Sequence, residues 1–263
     1  MNKVRLTYFI LLICSFVITK GQQIPNGRLA DGGTSIPSNI VTNRIDNFYT
    51  GDKLLSEMNL STKVLKFDNI EGSPFWSDKW MYASLYSYKN EFLAKVPVNL
   101  NFANGQLYAK VGDSVLQLDN ETVRKVVVYS DTSKNQVKAV FLSFLPYVYI
   151  GNEKINDYLE VFYSGYAILL KYKKKVLAQS ESGGGMSKFY YFKDFSYYYL
   201  QVNNKIERIT SLSKEQLFQL LPGSNNLDSW VKEKKLNLKK ENDVIQFIEY
   251  YNSIKEKEVK SLN

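Results

Sequence analysis

The chain contains no histidine, and its single cysteine, Cys14, lies in an apolar run near the N-terminus. The absence of histidine excludes the Ser-His-Asp triad, the Cys-His pair and metal sites with imidazole ligands. Beyond that run no cysteine is left for thiolate catalysis, structural zinc or a disulfide. An Asp-x-Asp-x-Asp-Gly calcium loop is also missing from the sequence. We therefore predict no metal site, no cofactor and no catalytic residue.

The N-terminus has the parts of a secretory signal peptide: Lys3 and Arg5, an apolar run over 6–19, and Lys20-Gly21 before a polar segment. The run is shorter than the roughly 20 apolar residues that span a membrane. We predict cleavage near Gly21, a location in the periplasm, at the cell surface or outside the cell, and no transmembrane helix in the mature chain. The alternative is a buried N-terminal helix.

Charge limits the choice of partner. Cleavage near Gly21 removes three positive charges and no negative one, so the formal net charge falls from +8 to +5. This excess allows weak attraction to anionic surfaces, but it does not resemble the concentrated basic stripe of a nucleic-acid-binding protein. We expect an envelope protein or a glycan as partner, and no nucleic acid.

Pattern changes along the chain predict its organisation. We expect a signal peptide over 1–21, a flexible leader rich in glycine and proline over 22–50, and a β-rich domain over 51–210. A C-terminal helical segment over 211–256 packs on that domain, and a tail follows over 257–263.

Alternating apolar residues with turn signals predict the β-rich domain. Asn104-Gly105 between two alternating runs is typical of a type I′ hairpin turn, and Gly112-Asp113 predicts a second hairpin. A strand at 123–129 continues these hairpins as an antiparallel meander. Further strands are predicted at 137–145, 158–163, 167–173, 188–192, 197–202 and 205–209.

The C-terminal segment changes to a helical period. Ser213 and Gln216 form a capping box at the start of a first helix, and Pro222-Gly223 ends it. A second helix is predicted at 227–235 and a third at 241–256, with Val244, Ile248 and Tyr251 on one face. The fold class is α+β: an antiparallel β meander or half-barrel with further hairpins, followed by a small C-terminal helical segment.

The order of motifs resembles a known group of proteins. The motifs are Gly72-Ser-Pro-Phe-Trp-Ser-Asp78, Val96-Pro97-Val98, Leu118-Asp119 before Val126-Val127-Val128, the strand 169–173, and the C-terminal end over 235–252. Over about residues 50–255 the chain resembles a family of uncharacterised exported proteins of Bacteroidota-type Gram-negative bacteria. The resemblance implies export and an architecture, and it brings no activity or catalytic residues.

Two groups of residues are candidates for ligand binding. Trp76, Asp78 and Trp80 form either the entrance of a pocket or a loop that two tryptophans anchor to the core. Tyr190, Tyr197 and Tyr199 lie in an aromatic stretch that forms either a platform for sugar or peptide or one packed face of a sheet.

For the other residues that could bind a ligand or catalyse a reaction, the sequence favours structural roles. Gly183, Gly184 and Gly185 are typical of a flexible loop rather than a phosphate cradle. The lysines at 171, 173, 174 and 175 are interpreted as solvated faces. The carboxylates available for acid–base catalysis are Asp113, Asp119, Glu121, Asp157 and Glu160. No two of them stand out by sequence context as a catalytic pair. The sequence favours a non-enzymatic periplasmic or surface-associated binding or assembly module; the alternative is a carboxylate-based hydrolase of envelope polysaccharide.

Overall fold

The computed structural model describes residues 36–45, 70–133, 135–143, 145, 148–181, 188–203 and 205–261. The predicted signal peptide and the glycine loop at 183–185 lie outside the described residues. The described part is an α+β structure in which a large sheet is followed by a small helical segment. The predicted fold class is therefore confirmed at this level.

The strands and helices follow in chain order. The strands are β1 Val41–Ile45, β2 Ile70–Glu71, β3 Met81–Tyr86, β4 Phe92–Asn101, β5 Gln106–Val111, β6 Ser114–Leu118, β7 Lys125–Asp131, β8 Gln136–Leu142, β9 Tyr149–Ile150, β10 Glu153–Lys154, β11 Leu159–Tyr163, β12 Ala167–Glu181, β13 Lys188–Val202 and β14 Lys205–Ile209. The α-helices are α1 Lys214–Leu220, α2 Asp228–Glu233 and α3 Glu241–Ser261.

The main sheet has the order β1-β6-β5-β4-β3-β7-β8-β11-β12-β13-β14, and β2 pairs in parallel with β13. Strands β4, β5 and β6 form the predicted antiparallel meander. The expected continuation into β7 is wrong, since β7 pairs with β3 instead. The open side of β6 is occupied by β1, and the pairing with β3 lets Val126 and Val128 join the buried cluster that contains Ala83 and Leu85.

Part of the predicted leader is structured. Residues 36–45 contribute a short 3-10 helix at Ser38–Ile40 and strand β1, and the side chains of Ile40 and Ile45 are buried. The prediction of a flexible leader is therefore wrong for this stretch. The reason is that its two isoleucines gain buried apolar contacts at the edge of the sheet.

The two predicted turns differ in outcome. Gly112-Asp113 is the two-residue connection between β5 and β6, with Gly112 at φ 58°. At Asn104-Gly105, Gly105 has φ 72° whereas Asn104 does not have positive φ, and the connection from β4 to β5 spans four residues. The type I′ turn is therefore wrong, although the hairpin forms.

Strands β12 and β13 are each 15 residues long and pair without interruption, from Ala167–Val202 to Glu181–Lys188. Alternation in the sequence predicts shorter strands here, because the charged and polar residues between them resemble turn signals. In the structure these residues stay in the ladder, and each of them is paired across the two strands. The hairpin extends well beyond its pairing with β11 and β14.

The segment 70–76 connects the far part of this hairpin to the end of β4. Ile70 pairs with Tyr190 of β13, and Phe75 forms a bridge with Asn101 of β4. The Trp76 amide donates to the Leu100 carbonyl at 2.8 Å. The ends of β4 and of the long hairpin are thereby held close together.

The helices pack on the proximal part of the hairpin. Val244, Ile248 and Tyr251 of α3 are buried together with Leu169 and Leu200 of the hairpin, which confirms the predicted face. Ser213 caps α1 by accepting a hydrogen bond from the Gln216 amide at 3.3 Å. None of the helices in the described ranges combines the length and the hydropathy that a membrane crossing requires.

Candidate functional site

A pocket of about 310 Å³ lies where the segment 70–76 meets the long hairpin. Its lining residues come from four parts of the chain, and they are mostly aromatic or charged: Phe75, Trp76, Phe102, Lys173, Lys175, Asp194, Phe195 and Ser196. We call this site the Trp76 pocket. A concave site with aromatic walls and a few polar groups is the usual form of a ligand-binding site in proteins.

Strand alternation places the lysines of the pocket. Because successive side chains of a strand point to opposite faces, Lys171, Lys173 and Lys175 of β12 share one face. The register sets Lys173 opposite Ser196 and Lys175 opposite Asp194 on β13. The pocket therefore has a polar strip that two neighbouring strands provide.

Each lysine of the pocket contacts an oxygen atom of the protein. Lys175 Nζ donates to the Ser73 carbonyl at 2.6 Å and lies 3.8 Å from Asp194 Oδ1, whose side chain is 75% exposed. Lys173 Nζ lies 2.9 Å from Glu160 Oε2 and 5.9 Å from the ring centroid of Phe102. The contact between Lys175 and Asp194 is long and solvated, so an incoming anion can replace it at little cost.

Aromatic contacts fix the walls. The Trp76 ring meets the buried Phe141 ring edge-on, with centroids 5.3 Å apart and an interplanar angle of 84°. Lys138 lies over the Trp76 ring at 5.0 Å, and Phe75 meets Tyr108 edge-on at 6.3 Å. The walls are thus anchored in the core before a ligand arrives, which lowers the entropic cost of binding.

A charged cluster stands next to the pocket on the same face. Lys171 and the Tyr198 hydroxyl both donate to Glu241 Oε2 at the start of α3. Burial opposes the ionisation of Glu241, but these two hydrogen bonds outweigh it and lower the pKa of Glu241 below its ordinary value. Burial, together with the hydrogen bond to Glu241, raises the pKa of Tyr198. Glu241 therefore stays ionised and holds α3 to the hairpin.

The structure separates the first group of predicted site residues. Trp76 lines the pocket, but the Asp78 side chain is exposed and is not among the lining residues. Trp80 packs in another cluster, with Ile45 and Tyr108. Both tryptophans contact the core, as an anchored loop requires, and Trp76 contributes to the pocket as well.

The predicted tyrosines also lie at different places. Tyr190 packs against Ile70, and Tyr197 stacks on Tyr172 with ring centroids 6.1 Å apart. Tyr199 is 1% exposed, and its hydroxyl donates to the Tyr149 carbonyl at 2.9 Å. Tyr197 and Tyr199 pack in one cluster with Tyr172, whereas Tyr190 packs in another, so the three side chains do not form an exposed platform.

The lysines of the pocket were not predicted from the sequence as site residues. The side chains of Lys171, Lys173 and Lys175 are 12%, 30% and 20% exposed, so their interpretation as solvated faces is wrong. The signal that points to them is lysine at every second position of a strand, which predicts one shared face. Of the candidate carboxylates, Glu160 pairs with Lys173, whereas Asp119 accepts from the Glu121 amide within a turn. Within the described ranges no group of three potential ligands is placed to hold a metal ion.

Comparisons with protein-family models, with curated proteins and with solved structures find no match for this chain.

Proposed function

We propose that this protein is an exported, non-enzymatic binding module of the periplasm or the cell surface, and that the Trp76 pocket binds its ligand. The observation that carries this proposal is the meeting of four aromatic residues with Lys173 and Lys175 in one pocket. We also propose that the sheet curves into the half-barrel that the hairpin pattern predicts. The link that the segment 70–76 makes between β13 and β4 supports it.

The chemistry of the lining favours an acidic glycan fragment. A sugar ring has an apolar C–H face that suits aromatic walls such as Trp76 and Phe102, and large rings supply most of the contact area. A carboxylate on the sugar would accept hydrogen bonds from Lys175, taking the place of the exposed Asp194. The pocket volume, about 310 Å³, is at the lower end of the range for small-molecule sites, which suits one or two sugar units of a longer fragment.

The alternative function is a carboxylate-based hydrolase of envelope polysaccharide. Such an enzyme needs two carboxylates about 5 to 10 Å apart, one of them with a raised pKa. Asp194 is the single acidic residue among the described residues that line the pocket, and it faces Lys175. The half-buried carboxyl of Asp157, whose pKa is raised by partial burial, instead accepts a hydrogen bond from Tyr172, which is not a lining residue. The geometry therefore favours binding over hydrolysis.

Calorimetric titration of the full chain with trigalacturonic acid tests the proposal, with neutral maltotriose as the comparison ligand. We expect the acidic sugar to bind and the neutral sugar to bind at least about tenfold more weakly, because a charge-assisted hydrogen bond is lost. Ser196→Tyr fills the pocket from an exposed strand position and should abolish binding. Ser130→Tyr makes the same change at an exposed position of β7 and should leave binding intact.

Lysine substitutions refine the same test. Lys175→Gln should weaken binding of trigalacturonic acid, whereas Lys174→Gln, on the opposite face of β12, should not. Equal binding of the acidic and the neutral sugar, or full binding by Ser196→Tyr, would refute the proposed ligand class. Release of shorter sugars from polygalacturonate, lost on Asp194→Asn, would favour the hydrolase.

A further inference from the structure

A second surface stands out at the turn between β3 and β4. Residues 88–92 are five consecutive exposed positions, and they include Tyr88, which is 72% exposed, and Phe92, which is 60% exposed. Tyr82, on the outer face of β3, is 48% exposed. Large apolar rings that are exposed together mark interaction surfaces rather than ordinary protein surface. We call the turn 87–91 with Phe92 the aromatic tip.

The backbone of the aromatic tip is held in one conformation. The Ser87 amide donates to the Glu91 carbonyl, and the Asn90 amide donates to the Ser87 carbonyl, both at 2.9 Å. Ser87 Oγ accepts from the amides of Lys89 and Glu91 at 3.2 and 3.3 Å. Asn90 has φ 63°, a conformation that asparagine tolerates better than most residues. The exposed rings are therefore presented by a preorganised turn, which reduces the entropy lost on binding.

Positive charge surrounds the aromatic tip. Lys89 lies in the turn, and Lys95 of β4 lies 4.9 Å from the ring centroid of Tyr129. Lys125 of β7 lies over the Tyr86 ring at 4.5 Å and donates to Asn90 Oδ1. Strands β3 and β4 contain no acidic residue, and the acid within the tip is Glu91. The surface as a whole is cationic and aromatic.

We propose that the aromatic tip docks the protein on a lipid bilayer that carries anionic head groups. Aromatic rings beside lysines are the combination that favours the membrane interface, where the rings enter the head-group region and the lysines remain with the anionic groups. Five consecutive exposed residues at the end of a hairpin can enter the head-group layer while the rest of the two strands stays outside it.

This second surface is separate from the Trp76 pocket. Phe92 begins β4, whereas Phe102 of the pocket follows its end, so the length of a ten-residue strand lies between them. That length is about 33 Å. Membrane docking and ligand binding can therefore be tested, and can fail, independently. A docked protein would hold its pocket away from the bilayer surface.

Co-sedimentation with vesicles tests the docking. The full chain is mixed with vesicles of phosphatidylcholine, or of an equal mixture of phosphatidylcholine and phosphatidylglycerol. We expect stronger binding to the mixed vesicles, and a loss of about tenfold for Tyr88→Ser/Phe92→Ser, because two rings no longer enter the interface. Lys89→Gln/Lys95→Gln should reduce binding by about fivefold for each lysine.

Matched variants separate the tip from general effects. Tyr149→Ser/Phe189→Ser removes one tyrosine and one phenylalanine exposed elsewhere, and Lys239→Gln/Lys240→Gln removes two exposed lysines of the helical segment. Both should bind as the unchanged protein does. All variants share the same N-terminal apolar run, so that segment cannot cause a difference between them.

Three results would overturn the proposal. The first is unchanged vesicle binding by Tyr88→Ser/Phe92→Ser, and the second is equal binding to neutral and to mixed vesicles. The third is tip-dependent binding to alginate, an acidic polysaccharide, without binding to vesicles, which would assign the surface to a glycan. Circular dichroism and thermal unfolding of each variant confirm that a loss of binding is not a loss of fold.

Discussion

The carboxylate of Asp157 lies against Gly105: a β-carbon added to Gly105 would stand 2.2 Å from Asp157 Oδ1. Gly105 also has φ 72°, a backbone conformation that disfavours residues with a β-carbon. On its other side the same carboxylate accepts a hydrogen bond from the Tyr172 hydroxyl at 2.7 Å. One acidic side chain thus fills the space between the turn after β4 and Tyr172 of β12.

Gly105→Ala should lower the free energy of unfolding by about 2 kcal/mol or more, since it adds a steric contact to the backbone strain. Gly112→Ala is the matched control, because Gly112 has φ 58° but no atom lies within 4 Å of its added β-carbon. We expect that variant to lose about 1 kcal/mol. Urea denaturation of both variants checks the difference, and equal losses would mean that Asp157 does not restrict position 105.

Asp157→Asn should change how stability depends on pH. Burial raises the pKa of Asp157 above its ordinary value of about 3.8, although Tyr172 and Lys174 oppose the shift. The folded state therefore binds this proton more tightly than the unfolded chain, so the group stabilises the fold at low pH and loses that contribution as pH rises through the folded pKa. Relative to Asp157→Asn, the unchanged protein should gain stability as pH falls from 7 towards 4. Parallel urea midpoints over this range would contradict the shift.

Asn252→Asp should destabilise the contact between α3 and the hairpin. Asn252 is completely buried, its Oδ1 accepts from the Ala167 amide at 2.6 Å, and its Nδ2 donates to the Ala167 carbonyl at 2.8 Å. An ionised aspartate has no donor for that carbonyl, so we expect a loss of about 3 kcal/mol in thermal or urea unfolding. Asn242→Asp, at an exposed position near the start of α3, should have little effect. Similar effects of the two changes would show that Asn252 is not a structural contact.

Export predicts a shorter mature chain. The basic start and apolar run at 6–19 predict that about 20 residues are removed near Gly21. Intact-mass measurement of protein isolated from its native host checks this. A mass that still includes Met1 would refute cleavage and leave a retained N-terminal helix as the interpretation.

Local sequence patterns were sufficient to predict the elements whose structure depends on residues close together in the chain. The Ser213 cap, the Gly112-Asp113 turn and the face of Val244, Ile248 and Tyr251 were all predicted from a few adjacent residues. In each case the deciding interaction joins residues within one turn or on one helix face. The sequence by itself therefore determined these local elements, the α+β class and, through the absence of histidine, the exclusion of imidazole chemistry.

The tertiary structure decided which distant segments meet. Alternation shows that a strand has a buried face, but it does not show which strand becomes its neighbour, so β7 beside β3 and β1 beside β6 were not predicted. The Trp76 pocket likewise joins residues near 75, 102, 173 and 194, whose separation in sequence leaves no local signal. In the sequence, Lys173 and Lys175 alternate along a strand as exposed residues do. Only the packing of the segment 70–76 over them makes them the charged groups of a site, because the burial of a strand face depends on which segment covers it.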